Sequence, residues 1–411
     1  ERLAMPKKKG KNLRAEEADM SDDSFASSST MERDDEEGGG GEEAELSSQL
    51  AEQIEELSEK RAAARKAALT ALNKILTTNV CDDELENWTQ TLVSSLLGMM
   101  KKGDSTEVSL AARCFGLLVI TLGPDAHAIY EDVVPPLMAA LQSRKTGSAA
   151  SAVLECLALF CFTAGEDRRE ASRLMDICSS RFLAKSADCE DVQAALACWG
   201  LLVTLLPESE VASNLESMLE PLARFLEHQS MDVRIAAGEC IALLFNAHYS
   251  YSEHIEDPTE IPELPDTTEL LATVHDLVTF CAKSTAKADR LRQRLVFRGV
   301  EQVLQSGTVD IQSIKMRGES VELSSWSSIR QMEALRRVLQ DGLLLHLEGN
   351  PFMRSSFALG QPLDFSGPKV RRSALQKRLH CSPNSAESKL KSQLRAKQRV
   401  HRSQRCGTHA E

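Results

Sequence analysis

The sequence predicts an all-α protein, an α-solenoid of stacked helix pairs, and three observations carry the prediction. Cys114, Cys156, Cys198 and Cys240 are each 42 residues apart, and the segments around them superpose without a gap. Aromatic residues make up 4% of the chain while hydrophobic residues reach 42%, a balance that favours helices packed through Leu, Ala and Val over a sandwich or barrel of short strands. Short turn-forming clusters, Gly103-Asp104-Ser105, Leu122-Gly123-Pro124 and Thr163-Ala164-Gly165, separate the helical patterns.

From the N-terminal side, residues 1–41 combine a basic patch (Lys7, Lys8, Lys9, Lys11), a Ser-rich acidic stretch from Ser21 to Thr30, the run Asp34-Asp35-Glu36-Glu37 and four glycines. Such a segment buries too little apolar surface to offset its ordering entropy, so residues 1–43 are expected to be a disordered acidic tail. From Glu42 the apolar residues take helical spacing, with Leu46, Leu50, Ile54 and Leu57 at steps of four, four and three. The repeat follows. At −4, +3 and +4 from each repeated cysteine stand Leu110, Leu117 and Leu118, then Ala152, Leu159 and Phe160, then Ala194, Leu201 and Leu202, then Ala236, Leu243 and Leu244. These positions form one face of a helix, written four times. One further step of 42 towards the N-terminus reaches Leu72, with Ala68, Ile75 and Leu76 in the matching places, a divergent fifth copy.

Complementary helices are expected at Leu85 to Lys101, Ala126 to Gln142, Asp167 to Ala184 and Val211 to Glu227. A period of about 40 to 47 residues with two helices per unit is the armadillo and HEAT range, and Asp232-Val233-Arg234 opens its helix as such repeats commonly do. Leu46 to Ala247 therefore reads as a solenoid in which each pair buries its stripe by stacking on its neighbours. His248 to Asp266, acidic and punctuated by Pro258, Pro262 and Pro265, is too long for a routine connection and reads as an exposed excursion. Helices resume at Thr267 to Lys283, Lys287 to Gln305 and Trp326 to Leu347, closing the array near Gly360. The expected domains are the tail 1–43, the repeat domain 44–348, and a basic C-terminal domain 349–405. Its terminal helix starts at Ser382-Pro383-Asn384-Ser385.

Charge divides the chain. Its total is −13, from 48 Lys and Arg against 61 Asp and Glu. From Lys369 to Arg405, twelve basic residues meet the single acid Glu387, a balance of +11 that leaves −24 for the remainder. A nucleic-acid partner is thus expected for the C-terminal part alone. The 11 cysteines form no CxxC pair and no Cys/His spacing suited to zinc, which indicates a reduced cytoplasmic or nuclear compartment. Apolar stretches such as Cys114 to Leu122 and Cys156 to Phe162 fall short of a bilayer span, and no N-terminal segment reads as a leader, so no membrane partner is expected. The chain carries no GxSxG, Walker loop, HExxH or GxGxxG after a strand. It is expected not to be an enzyme, with no cofactor, no metal and no small-molecule substrate.

Two basic groupings are the candidate sites. Lys287, Arg290, Arg294 and Arg298 step by three, four and four along one predicted helix, with Leu291, Leu295, Val296 and Val300 as its expected buried side. In the tail, Lys389, Lys391, Arg395, Lys397, Arg399 and Arg402 point in several directions around a helix with a thin Leu390 and Leu394 edge. A rod positive on all sides is favoured where anionic walls enclose it, and residues 366–411 lack Trp, Tyr and Phe for base stacking. Contact through the RNA phosphate backbone, sensitive to salt, is the expectation. Pro6-Lys7-Lys8-Lys9-Gly10-Lys11 has the composition of a nuclear import signal.

These segments resemble the interferon-related developmental regulator family. The likeness is sharpest in Val233-Arg-Ile-Ala-Ala-Gly-Glu-Cys-Ile-Ala-Leu-Leu-Phe245, in Lys287-Ala-Asp-Arg-Leu-Arg-Gln-Arg294 and in Ser325-Trp326 leading to Gly342-Leu-Leu-Leu-His-Leu. At the C-terminal end, Ser382-Pro-Asn-Ser-Ala386 through Ala396-Lys-Gln-Arg399 is similar to the plant and algal branch. The resemblance implies an armadillo-like domain followed by a family-specific C-terminal domain. It further implies association with translationally inactive ribosomes, the basic C-terminal helix entering the mRNA path, and alternatively a nuclear role in transcription through co-repressor proteins. The RNA-facing positions it implies are Lys389, Lys391, Arg395, Lys397, Arg399 and Arg402, with Lys287, Arg290, Arg294 and Arg298 as a second patch.

Overall fold

The computed structural model describes residues 39–362 apart from 86, 145, 166–167, 186, 258, 260 and 280–285, and for 39–44, 82 and 83 the backbone alone. Of the tail expected over 1–43, residues 39–43 begin a helix, and residues 1–38, like everything expected of 363–411, lie outside the described residues. The chain divides into two compact units, Glu1–Ser48 and Gln49–Glu411.

The helices in order are α1 (Gly39–Glu56), α2 (Ala62–Thr78), α3 (Asp82–Leu85), α4 (Thr89–Lys102), α5 (Ser105–Leu122), α6 (Tyr130–Ser143), α7 (Ser148–Ala164), α8 (Arg168–Phe182), α9 (Cys189–Val203), α10 (Glu208–Ser213), α11 (Leu215–Ala223), α12 (Met231–His254), α13 (Thr268–Thr279) and α14 (Lys287–Ser306). A hairpin of β1 (Gln312–Lys315) and β2 (Ser320–Leu323) follows, then α15 (Trp326–Leu339), α16 (Leu343–Gly349) and α17 (Pro351–Ser356).

The 42-residue period is the stacking period. Helices α2, α5, α7, α9 and α12 pack each on the next, α14 packs on α12, and the second helices α4, α6, α8 and α10 with α11 lie against α5, α7, α9 and α12. Leu72, Cys114, Cys156, Cys198 and Cys240 sit at the centre of the stack, none more than 3% exposed. The fifth copy is thus a true member. These are helical-repeat solenoid contacts: the stacked helices are apolar on most of their circumference because they are covered on several sides. An 18-residue window within Ser105–Ser143 is long and apolar enough to cross a membrane, and 72% of it is buried in this packing.

Polar side chains join neighbouring stacked helices. Asp104 caps α5 by accepting from the N–H groups of Thr106 and Glu107, while Glu107 reaches back to the N–H of Asp104. The same Glu107, 2% exposed, pairs with Arg65 of α2 at 2.6 Å. Asp191 of α9 accepts from the N–H of Gly147 at 2.9 Å and the hydroxyl of Ser151 at 2.7 Å, at the start of α7.

Several elements depart from the sequence expectation. The segment Val211 to Glu227 breaks at Asn214, whose N–H and side-chain amide both donate to the Glu210 carbonyl, and ends in a 3-10 turn, Arg224–Glu227. Helix α12 continues to His254, and His248, 3% exposed, bonds through Nε2 to the carbonyl of Pro262 at 2.9 Å. The excursion therefore folds back on the helix that precedes it. The hairpin was not foreseen, although Ser320-Val-Glu-Leu alternates with period two and Val321 and Leu323 are 1% and 2% exposed. Gly318, at φ +85°, makes its turn.

The largest departure concerns the last helices, which do not extend the stack. Helix α15 lies across α5, α9 and α12, the turn after it rests on α2, and α17 packs on α5. The chain thus returns along the row of stacked helices, from the latest to the earliest.

Candidate functional site

Solenoids of stacked helix pairs bind partners along the surface formed by one helix of each pair. Here that surface is covered by the protein's own α15. Ser325 caps the helix by accepting from the N–H of Ser328. Trp326, Ile329, Arg330, Met332, Leu335, Val338 and Leu339 form its buried face.

Polar contacts tie the returning segment to one stacked helix after another. The N–H of Trp326 donates to Asn246 Oδ1 of α12 at 2.9 Å, and Arg330 pairs with Glu239 of the same helix. Gln331 donates to Thr204 Oγ1, just past α9, at 3.1 Å. Arg337 pairs with Glu155 of α7 at 2.9 Å, and Arg113 of α5 donates to the Val338 carbonyl at 3.1 Å. Beyond α15, His346 Nε2 lies 3.0 Å from the Leu76 carbonyl of α2, and the Asn350 amide donates to Ile120 of α5 at 2.9 Å. At Gly342 the backbone meets α2 so closely that an added Cβ would lie 1.8 Å from the Thr77 carbonyl oxygen.

These partners occupy further positions of the 42-residue repeat. Immediately before each repeated cysteine stand Arg113, Glu155, Ala197 and Glu239, and two residues after it Gly116, Ala158, Gly200 and Ala242. At Gly200 the small residue lets α15 approach, since a Cβ there would stand 3.3 Å from Arg330 Nε; at Gly116 a Cβ would instead crowd Leu159 of α7 at 3.2 Å. Charge in three of four copies of an otherwise apolar face was the available signal, since a buried charge requires a partner.

The cavity under α15, lined by Glu155, Leu159, Cys198, Leu201, Arg330 and Arg337 among others, measures about 20 Å³, the space of one water. Burial pushes the Cys114, Cys161 and Cys240 thiols up to about 12, and Cys156, Cys178 and Cys198 also upward. Buried and protonated, they pack as small hydrophobes and are not nucleophiles. Among the described residues, no three His, Cys, Asp or Glu come together as a metal site.

Of the two basic groupings, Lys389, Lys391, Arg395, Lys397, Arg399 and Arg402 lie outside the described residues. Lys287, Arg290, Arg294 and Arg298 all fall on α14, where Lys287, Arg294 and Arg298 are exposed and Arg290 is half-buried. The buried face of α14 differs from the expected one. It consists of Gln293, Phe297, Val300, Val303 and Leu304, whereas Leu291 and Leu295 are 37% and 47% exposed and Val296 is half-buried. Phe297 decides the rotation, because its ring enters the space left by Gly238 on α12, where a Cβ would come within 2.7 Å of it. Gln293 accepts from Arg234 at 2.8 Å on the same side. The basic row borders the two exposed leucines.

The chain is similar to known proteins over most of its length. A family model described as Interferon-related developmental regulator matches residues 19–305, and one described as Interferon-related protein conserved region matches residues 350–403. Interferon-related developmental regulator 2 of Mus musculus is 30% identical over 366 residues, covering 84% of this chain and 80% of that protein. Interferon-related developmental regulator 1 of Homo sapiens is 27% identical over 365 residues, covering 84% and 78%. An uncharacterized protein of Schizosaccharomyces pombe is 30% identical over 183 residues, 40% of each chain.

Proposed function

The chain belongs to the interferon-related developmental regulator family, and on that premise we propose that it is a non-enzymatic regulator of translation that occupies inactive ribosomes. Its C-terminal basic residues Lys389, Lys391, Arg395, Lys397, Arg399 and Arg402 contact rRNA phosphates along the mRNA path, and the stacked helices carry that segment to its target. The observation that carries the reading is the separation of charge: a +11 segment attached to a remainder of −24. The acidic remainder is repelled by a polyphosphate surface, so attraction is confined to the tail and orients the chain on approach. The second family match, over 350–403, spans all six residues.

Binding of this kind depends steeply on salt. If all six side chains neutralise phosphates of single-stranded RNA, each contributes about 0.7 to the slope of log affinity against log salt. The slope is then about −4, and affinity falls roughly 300-fold between 50 and 200 mM salt. The test is sedimentation of cell extract through sucrose gradients at low and moderate salt. Wild-type chain travels with ribosomes in dilute buffer and leaves them as salt rises, while the combined Arg395→Glu, Lys397→Glu and Arg399→Glu variant stays at the top. Unchanged co-sedimentation of that variant refutes the reading. The rival reading is a nuclear adaptor whose solenoid binds co-repressor proteins; for it, the same variant keeps its protein partners and ribosome sedimentation is beside the point.

A further inference from the structure

A row of cations on a helix is ordinarily a solvated face, but α14 has features that solvation does not explain. Leu291 and Leu295, 37% and 47% exposed, stand one turn apart on the side opposite the buried Gln293, Phe297, Val300 and Leu304. Lys287, Arg294 and Arg298 border them, and none of the three forms an ion pair among the described residues. The acids of α14 lie to the sides: Asp289 is half-buried and Glu301 is paired with His275 at 2.9 Å. Nor does the row stabilise its own helix. Lys287 and Arg290 occupy the first turn, where the helix dipole disfavours positive charge.

We propose that this outer face of α14 is a docking surface for an acidic amphipathic helix of a partner protein. The apolar ridge of that helix covers Leu291 and Leu295, and its flanking carboxylates meet Lys287, Arg294 and Arg298. The match is one of both charge and shape. Eleven residues separate Lys287 from Arg298, about 16 Å or three turns at 1.5 Å per residue, the length of a short recognition helix laid alongside. An RNA backbone satisfies the cations alone and leaves the two leucines against a charged strand, so the leucines distinguish a protein partner from RNA. This surface is separate from the face covered by α15.

The test uses the full chain and two labelled probes in fluorescence anisotropy. One is a 16-residue helical peptide with Leu at steps of three and four along one edge and Glu on both flanks, measured beside a scrambled peptide of the same composition. The other is a 12-residue oligouridine. The exposed positions tolerate Leu291→Ser with Leu295→Ser, and Arg294→Glu with Arg298→Glu, and thermal melts confirm that both variants fold. The patterned peptide is expected to bind at least tenfold more tightly than the scrambled one, and each variant to lose at least tenfold of that affinity. The leucine pair is expected to leave oligouridine binding unchanged. Equal binding of patterned and scrambled peptides, no binding of either, or indifference to the leucine substitutions overturns the proposal. A loss of oligouridine binding in the arginine variant without loss of peptide binding also overturns it and gives the face to RNA.

Discussion

Glu239→Leu strips the carboxylate from a guanidinium that is 4% exposed, on the far side of the contact between α12 and α15. Arg330 cannot swing into water without lifting Trp326, Ile329 and Leu335 out of their packing. A buried charge deprived of its partner costs about 3–5 kcal/mol, a large fraction of the roughly 5–15 kcal/mol that holds a native protein folded. Arg330→Met should cost less, because Glu239 retains 19% side-chain exposure and its carboxyl, already pushed up by burial, can take a proton once the guanidinium is gone. The double variant removes both charges and replaces them with apolar side chains of similar volume, and should fall within about 1 kcal/mol of wild type. The two substitutions are therefore strongly non-additive. Urea unfolding followed by circular dichroism and tryptophan fluorescence reads all four proteins. Arg292→Met is the control, since the Arg292–Asp232 pair is 54% and 44% exposed and should be worth under about 1 kcal/mol. A Glu239→Leu cost no greater than that control, or a double variant costing the sum of the singles, refutes the claim that α15 is held over the stacked helices through a desolvated ion pair.

Two further outcomes follow from the same packing. Gly342→Ala places a Cβ 1.8 Å from the Thr77 carbonyl oxygen and should destabilise by about 3 kcal/mol. Gly98→Ala, on an exposed face of α4 with nothing within 4 Å, should stabilise by up to about 1 kcal/mol; thermal melts that move both proteins in the same direction contradict the contact. His346 is fully buried, and burial holds its imidazole below the ordinary value of 6.5. The unfolded chain then binds the extra proton first, so stability is fully present above about pH 6.5 and falls as pH drops below it, by at most about 1.4 kcal/mol per pH unit. His346→Gln should flatten that part of a denaturant-midpoint profile, and an unchanged slope would show that another group is responsible.

The stacked helices were legible because their signal is redundant. Four copies of one face at a strict 42-residue interval leave no freedom of register, and the divergent copy at Leu72 followed from the interval alone. On α14 the pattern was ambiguous. Leu291, Leu295, Val296, Phe297, Val300 and Leu304 surround more than half of the helix, so periodicity admits two rotations, and the fit of Phe297 against Gly238 selects the one that leaves the leucines outside. The hairpin of β1 and β2 is four residues per strand, too short for alternation to stand out against its neighbours. The return of α15 was hidden for a different reason. A helical pattern between Trp326 and Leu347 states which side is apolar and says nothing about what that side meets.

The sequence by itself determined the helical class, the repeat length, the buried row of Leu72 and the four repeated cysteines, and the segregation of charge, because each is a property of spacing or composition along the chain. Tertiary structure alone decided that the last helices run back over the first, pairing Arg330 with Glu239 across 91 residues and His346 with Leu76 across 270. Such contacts form between surfaces that carry no periodic relation to one another. Shape, desolvation and the need of a buried charge for its opposite select them, and those forces act only once the helices have stacked.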